Sequence, residues 1–330
     1  MKPTIVSGIQ PTGNMHLGNY LGAVSNWVRL QDTHEPFFFI ADVHALTTTY
    51  ENPEGLAQDK LNLAKDLLAC GVDPAKSCLF FQSDVPAHFE LFTLFTMMTP
   101  LPWLERVPTY KDKIDQLQDK DLNTFGFLGY PVLQAADILL YKAAAVPVGK
   151  DQLPHLELTR EIARRFNHLY GAVFPEPQDM LTDFQVLPGL DGRKMSKSYG
   201  NTIPISATED ETTALVRAMV TDPNRIRRTD PGNPEICPVF AYHRIFSPID
   251  AVAQIDRDCR SAALGCVDCK KQCAAVVNDR LLPLRERRNA LSDSAVIDAV
   301  YDGAKQAGAV ATETLCQVKD AMKLSKTSKG

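Results

Sequence analysis

The sequence has no apolar run approaching the length of a membrane-spanning helix. It also has no excess of positive charge. Its 35 Lys and Arg against 40 Asp and Glu leave a formal net charge of -5. That excludes a histone-like polycation. It does not exclude RNA, because phosphate binding depends on local basic patches rather than on the total. Internal repeats and low-complexity segments are absent. The first residues, Met1 to Gly8, carry one basic residue and then only a strand's worth of apolar ones. A signal peptide needs a longer apolar run and a small-residue cleavage site, so the expected location is the cytoplasm.

What is present is ordinary globular composition: 45% hydrophobic and 23% charged over 330 residues, which excludes a mainly disordered or collagenous chain. The length suits about two domains with a sizeable core. Continuous apolar runs at Thr4–Ser7, Phe37–Ile40, Cys78–Phe81 and Val146–Val148, and a weaker one at Phe184–Leu187, suit strands buried on both faces of a parallel sheet. Between them, Leu56, Leu61, Ala64, Leu67 and Leu68 recur at helical spacing, as do Leu156, Ile162, Ala163 and Phe166. This is the α/β pattern of a doubly wound, Rossmann-like sheet. Strands stop near residue 205, and helices with breaks at Asp222-Pro223, at Asp230–Pro234 and near Ser292-Asp293 follow. The expected division is therefore residues 1–205 and an all-helical 206–330.

Two segments carry candidate chemistry. After the first strand comes a glycine-rich turn and then a helix, Gly8 to Tyr20, a layout that presents backbone N–H groups to phosphate. Within it His16 and Asn19 can donate to phosphate oxygens, and Gly18 lets a flat ring approach the backbone. The pattern is neither a Walker loop nor GxGxxG. Taken alone, it is equally a tight strand-to-helix turn with a surface histidine. The second segment is Gly192-Arg193-Lys194-Met195-Ser196-Lys197-Ser198. Such a loop can close two ammonium groups onto a triphosphate and neutralise charge that grows as pyrophosphate leaves. Taken alone, it is a solvated basic loop.

Together the segments resemble the HIGH and KMSKS signatures of class I aminoacyl-tRNA synthetases, as His16-Leu17-Gly18-Asn19 and Lys194–Ser198, with Asn19 replacing the last histidine. Ser7–Gly13, Ala41–Thr47, Ala135–Tyr141 and Val146–Gln152 narrow the resemblance to bacterial tryptophanyl-tRNA synthetases. That resemblance implies a homodimer that forms tryptophanyl-adenylate from tryptophan and ATP and then charges tRNA(Trp). It implies ATP contacts from Gln10, Pro11, Thr12, Gly18, Asn19, Gly149, Lys150, Asp151, Val186 and Lys194 to Ser198, with His16, Lys194 and Lys197 catalytic. It implies an indole N–H accepted by Asp137, which suits a donor-only group facing an acceptor-only carboxylate. Mg²⁺ would be held mostly by ATP oxygens and water. Lys150 departs from the family, where an acid is frequent, and Gln134 departs where methionine is common. His44, Lys111 and Lys113 are further candidates, each equally explained as core, cap or solvated face. So are the basic clusters Arg225–Arg228, Lys270-Lys271 and Arg285–Arg288. The stretch Phe89 to Trp103 is apolar at helical spacing, as core or partly as subunit interface.

Two rival readings stand beside this one. Tyrosyl-tRNA synthetases share the fold and both signatures, but Val6 stands where they carry a tyrosine that reads the substrate hydroxyl. A paralogue that binds RNA without aminoacylating would not need His16, Lys194 and Lys197 intact.

Cys237, Cys259, Cys266 and Cys269 are separated by 21, 6 and 2 residues. Such crowding in a cytosolic chain suggests a metal or cluster more than disulfides. The spacing resembles a subset of bacterial tryptophanyl-tRNA synthetases that bind a [4Fe–4S] cluster in the helical domain, with the first gap one residue shorter. Zn²⁺ suits four thiolates as well. Cys273 is a spare that can replace Cys269. Unliganded buried thiols are the remaining alternative.

Overall fold

The computed structural model describes residues 2–107, 123–181 and 187–325. Five strands form one sheet: β1 (Thr4–Ile9), β2 (Glu35–Ile40), β3 (Cys78–Phe81), β4 (Ala145–Val148) and β5 (Gln178–Leu181). Their order is β3-β2-β1-β4-β5 and every pairing is parallel. Helices connect the strands, as parallel pairing requires. Thus Leu56–Ala69 precedes β3, Phe125–Leu139 precedes β4 and Leu153–Tyr170 precedes β5. The doubly wound sheet expected from the apolar runs is observed, and four of the runs are strands.

The fifth strand differs. It is Gln178–Leu181, whereas the expected Phe184–Leu187 lies mostly outside the described residues. The reason is exposure: Gln178, Asp179 and Leu181 face solvent, whereas β3, the other edge strand, is covered by the helix Asp293–Ala321. A solvent-exposed strand needs no continuous apolar run, so it leaves little trace in the hydrophobic pattern.

The chain forms two compact units, and their boundary is not residue 205. One unit comprises residues 1–13, 26–182 and 293–330; the other comprises 14–25 and 183–292. The helix Asp293–Ala321 therefore belongs with the sheet. Its Ala304, Ala307, Ala311, Leu315 and Val318 join the core cluster that contains Phe80, Leu91 and Ile162. At Gly303 a Cβ would overlap the Leu79 backbone, so the missing side chain is what lets this helix lie directly on β3. Along this helix, residues three and four apart supply a small-residue stripe, the face by which it joins the sheet.

In the second unit the helices Glu209–Ala218, Pro238–Phe246, Ile249–Arg260 and Cys266–Ala290 pack around Val216, Phe240, Tyr242, Cys273, Val277 and Leu281, all buried. Among the described residues this unit has no strand, as expected for the helical part. No described helix is long and apolar enough to cross a membrane.

Candidate active site

Four loops leave the carboxyl ends of β1 to β4, where ligands bind in open α/β sheets. After β1 the chain turns through Gln10, Pro11 and Thr12, closed by Thr12 N–H donating to Gln10 O at 3.0 Å. After β2 comes the helix Asp42–Thr49, which carries His44. After β3 a single turn holds Gln82. After β4, Gly149 precedes the turn Lys150–Gln152, where Gln152 donates to Asp151 at 2.9 Å. Gly149, Lys150 and Asp151 are exposed, and thus open to a ligand.

Asp137 lies on the helix Phe125–Leu139 and is fully buried. It accepts from His44 Nε2 at 2.8 Å, from His88 Nδ1 at 2.6 Å and from Gln82 Nε2 at 2.8 and 3.0 Å. Burial by itself would raise its pKa, but the hydrogen bonds from His44 and His88, with their coulombic contribution, outweigh burial and bring it down to about 2. Asp137 is therefore a carboxylate at neutral pH, the acceptor-only state the sequence required of it. His44, left open between core and catalysis, is a direct partner of Asp137. Gln82 and His88 had no signal in the sequence, because their roles depend on contacts 38 to 55 residues away along the chain.

The second unit brings the two signature segments together. Leu17 N–H donates to Ile203 O at 2.9 Å, and Ile205 N–H donates to Met15 O at 3.0 Å. These bonds pin the turn around His16 beside the strand-like segment that follows the lysine loop. His16 caps the short helix Leu17–Asn19: its Nδ1 accepts from Asn19 N–H, and Asn19 Oδ1 accepts from His16 N–H, each at 3.3 Å. Gly18 N–H points at Met195 Sδ, 3.3 Å away. A Cβ on Gly18 would stand 3.0 Å from His16 Nδ1 and 3.4 Å from that sulfur, so glycine is what permits the contact. Met195 is 5% exposed and serves as the anchor of its loop, while Lys194 remains exposed.

Burial lowers the His16 pKa, and the Lys197 charge lowers it further, to about 4. The ring is neutral at pH 7. With Nδ1 accepting from the backbone, Nε2 carries the proton and can donate to a phosphate oxygen.

Asn201, another residue without sequence signal, fixes the lysine loop. Its Oδ1 accepts from Ser196 N–H at 2.8 Å, and its Nδ2 donates to Asp191 at 2.6 Å and to Lys194 O at 3.2 Å. Val186, Lys111 and Lys113 lie outside the described residues, as does the Ser198 side chain.

The residues 1–282 match the family described as tRNA synthetases class I (W and Y). The chain belongs to this family. It is 50% identical over 324 residues to the tryptophan–tRNA ligase of Thermotoga maritima, covering 97% of this chain and 99% of that one. It is 44% identical to the tryptophan–tRNA ligase of Aquifex aeolicus, covering 97% and 99%. Among solved structures it resembles the tryptophanyl-tRNA synthetase of Campylobacter jejuni complexed with ADP and tryptophan, with a TM-score of 0.89, 34% identity, and 97% and 100% of the two chains covered. Membership joins the two signatures and the doubly wound sheet in one class I synthetase fold.

The cysteines of this synthetase stand in the helical unit. Cys237 caps the helix Pro238–Phe246, Cys259 ends the next helix, and Cys266 and Cys269 begin the helix Cys266–Ala290. All are unpaired thiols. Burial raises the Cys237 thiol, while the N–H groups of Phe240 and Val239 act against it. Burial pushes Cys269 up to about 12, helped by the charges of Cys237, Cys259 and Cys266. The four thiols thus lie within one another's field. Among the described residues, however, no group of three or more His, Cys, Asp or Glu side chains is arranged to hold a metal ion. Cys273 is fully buried in the helical core, with its sulfur 4.0 Å from Val239 O.

Two of the basic clusters are partly occupied by structural bonds. Arg285 donates to Thr212 at 2.7 Å and to Asn278 at 2.9 Å, and Arg225 donates to the carbonyls of Arg228 and Leu264. Arg227, Arg228 and Arg287 remain exposed.

Proposed function

We propose that the protein is a tryptophan–tRNA ligase. In the first step a carboxylate oxygen of tryptophan attacks the α-phosphorus of ATP. The new O–P bond forms as the bond to pyrophosphate breaks, giving tryptophanyl-adenylate. In the second step a ribose hydroxyl of tRNA(Trp) attacks the activated carbonyl and AMP leaves. No side-chain nucleophile is needed, so the protein's work is positioning and charge stabilisation.

The observation that carries the reading is the docking of Met195 on Gly18, which sets Lys197 near His16. This gives a neutral histidine donor and two lysines one anchored geometry, in a chain half identical to a tryptophan–tRNA ligase. His16 Nε2–H donates to phosphate. Lys194 and Lys197 neutralise the charge that builds on the departing pyrophosphate. By resemblance, Gln10, Pro11, Thr12, Gly18, Asn19, Gly149, Lys150, Asp151, Val186 and Lys194 to Ser198 make up the ATP contacts. Asp137 accepts the indole N–H. Mg²⁺ travels with the ATP oxygens and water.

The same reading makes the protein a cytoplasmic homodimer with its tRNA anticodon contacts in the helical part, residues 206–330. There, Cys237, Cys259, Cys266 and Cys269 hold a [4Fe–4S] cluster. What supports this reading is the donor chemistry: four thiols in one another's field, backbone N–H groups directed at the Cys237 sulfur, and the Arg225 guanidinium 3.8 Å from Cys259 Sγ to offset negative charge. When bound, such a cluster ties these helices together and shapes the surface they offer to tRNA. Zn²⁺ is the alternative occupant.

Charging of a tRNA(Trp) transcript tests the function. The protein should form tryptophanyl-tRNA with ATP and tryptophan. Transcript binding without charging would favour a non-aminoacylating RNA-binding paralogue.

A further inference from the structure

His88 is fully buried, although nothing in the two-step reaction calls for it. It sits near the start of the helix Ala87–Thr96. One ring nitrogen, Nδ1, lies 2.6 Å from Asp137 Oδ1, and the other, Nε2, lies 2.7 Å from Tyr141 Oη. Its ring is hemmed in by Phe39, Phe80 and Tyr141, with centroids at 5.9, 6.0 and 5.5 Å. Rotation of the ring is therefore blocked on several sides.

The chemistry of these neighbours sets the proton positions. Ionised Asp137 can only accept, so Nδ1 carries a hydrogen. Burial holds the Tyr141 phenol well above its usual range, so the O–H stays and is available to donate to Nε2. Gln82 is oriented in the same manner. Its Oε1 accepts from His44 N–H at 3.3 Å, which turns Nε2 toward both oxygens of Asp137. Three donors, from His44, His88 and Gln82, thus face a carboxylate that offers about four lone-pair sites. Because Gln82 reaches both oxygens, the three donors make four contacts, two on each oxygen, and hold the carboxylate in a single orientation.

A purely structural account fits this poorly. Burying a charge with its donors generally contributes little or nothing to stability relative to apolar packing. The surrounding core is otherwise built from Phe39, Phe80, Leu91 and Ala136.

We infer that His88, backed by Tyr141, is a positioning residue for tryptophan recognition: it fixes the orientation of the Asp137 carboxylate that receives the substrate indole. The inference rests on the reading that Asp137 receives the indole N–H. His88 does not touch the substrate in this account; it acts through Asp137.

The test is steady-state ATP–pyrophosphate exchange on the full chain, with the KM for tryptophan and the KM for ATP measured separately. His88→Leu should raise the KM for tryptophan about 10- to 100-fold, the value of a lost charge-assisted hydrogen bond. The KM for ATP should stay within about twofold. His88→Asn places an amide donor near the former Nδ1 and should recover most of the loss.

A second readout is independent of activity and starts from the wild-type protein. Nitrogen-15 spectra of the wild-type histidines at pH 7 should show His88 protonated at Nδ1 and bare at Nε2. Tyr141→Phe should shift the Nε2 resonance by removing its donor.

The failures are distinguishable. If Asp137→Ala leaves the KM for tryptophan unchanged, the reading of Asp137 fails and the positioning role fails with it. If Asp137→Ala raises that KM and His88→Leu does not, the positioning role alone is overturned. A His88 ring protonated at Nε2 in the wild type, or equal losses for tryptophan and ATP in His88→Leu, also overturns it.

Discussion

Gly18→Ala is a small substitution with a large expected effect. The new Cβ would lie 3.0 Å from His16 Nδ1, 3.1 Å from His16 Cε1 and 3.4 Å from Met195 Sδ. The first two separations are tighter than nearly all real Cβ contacts, so His16 must move by a few tenths of an ångström. His16 is not free to do so at no cost, because its Nδ1 and backbone N–H both belong to the cap around Asn19. Forcing one methyl group into a packed site costs about 1–3 kcal/mol. If that cost falls on the catalytic arrangement, it is a factor of roughly 5 to 150 in rate. Gly18 has ordinary helical backbone, so helix propensity opposes the effect and slightly favours alanine. The global fold should therefore be nearly unchanged while the adenylation rate falls. Tryptophan-dependent pyrophosphate exchange, paired with thermal unfolding, reads both quantities. An unchanged exchange rate in a folded Gly18→Ala protein would refute the idea that the His16–Met195 contact organises the chemistry. A Tm drop that accounts for the whole loss would refute it equally.

Lys194→Ala and Lys197→Ala should each lower the exchange rate while changing the KM for tryptophan little, because their charges matter most as pyrophosphate departs; a loss confined to ATP affinity would contradict this. The His16 pKa, lowered from 6.5 to about 4, gives a pH signature. Between these values the unfolded chain binds a proton that the folded chain does not, so the His16 contribution to stability is present above pH 6.5 and is lost as pH falls toward 4. Denaturant unfolding of wild type and His16→Gln across that window should show the difference, and parallel curves would exclude it. Anaerobic purification should give a brown protein with about four irons per chain. Colourless protein with stoichiometric zinc, or with no metal, would remove the cluster and leave the synthetase reading in place.

Most of the sheet was legible because a buried parallel strand must be apolar on both faces. Phe37 to Ile40 and Cys78 to Phe81 can hardly be anything else. β5 escaped because a strand with Gln178, Asp179 and Leu181 exposed carries no such run. The division at residue 205 followed a true change from strands to helices, but a change of secondary structure is not a change of unit. The face of Asp293–Ala321 that returns to the sheet is built from Gly303, Ala304, Ala307 and Ala311, too small to stand out as a hydrophobic stripe. The signature residues were legible because each sits in a short continuous motif. Gln82, His88, Tyr141 and Asn201 were not, because what they do depends on partners brought close only by folding. The cysteine spacing pointed to a ligand set, and the structure adds mutual influence among the thiols without, among the described residues, a group already arranged around a metal ion.

The central claim is that this chain activates tryptophan. ATP–pyrophosphate exchange run in parallel with each of the standard amino acids tests it most directly. Exchange should depend on tryptophan, with tyrosine giving little, because Val6 offers no hydrogen bond to a phenolic hydroxyl. Exchange supported by tyrosine and not by tryptophan, or no exchange with any amino acid, would contradict the account.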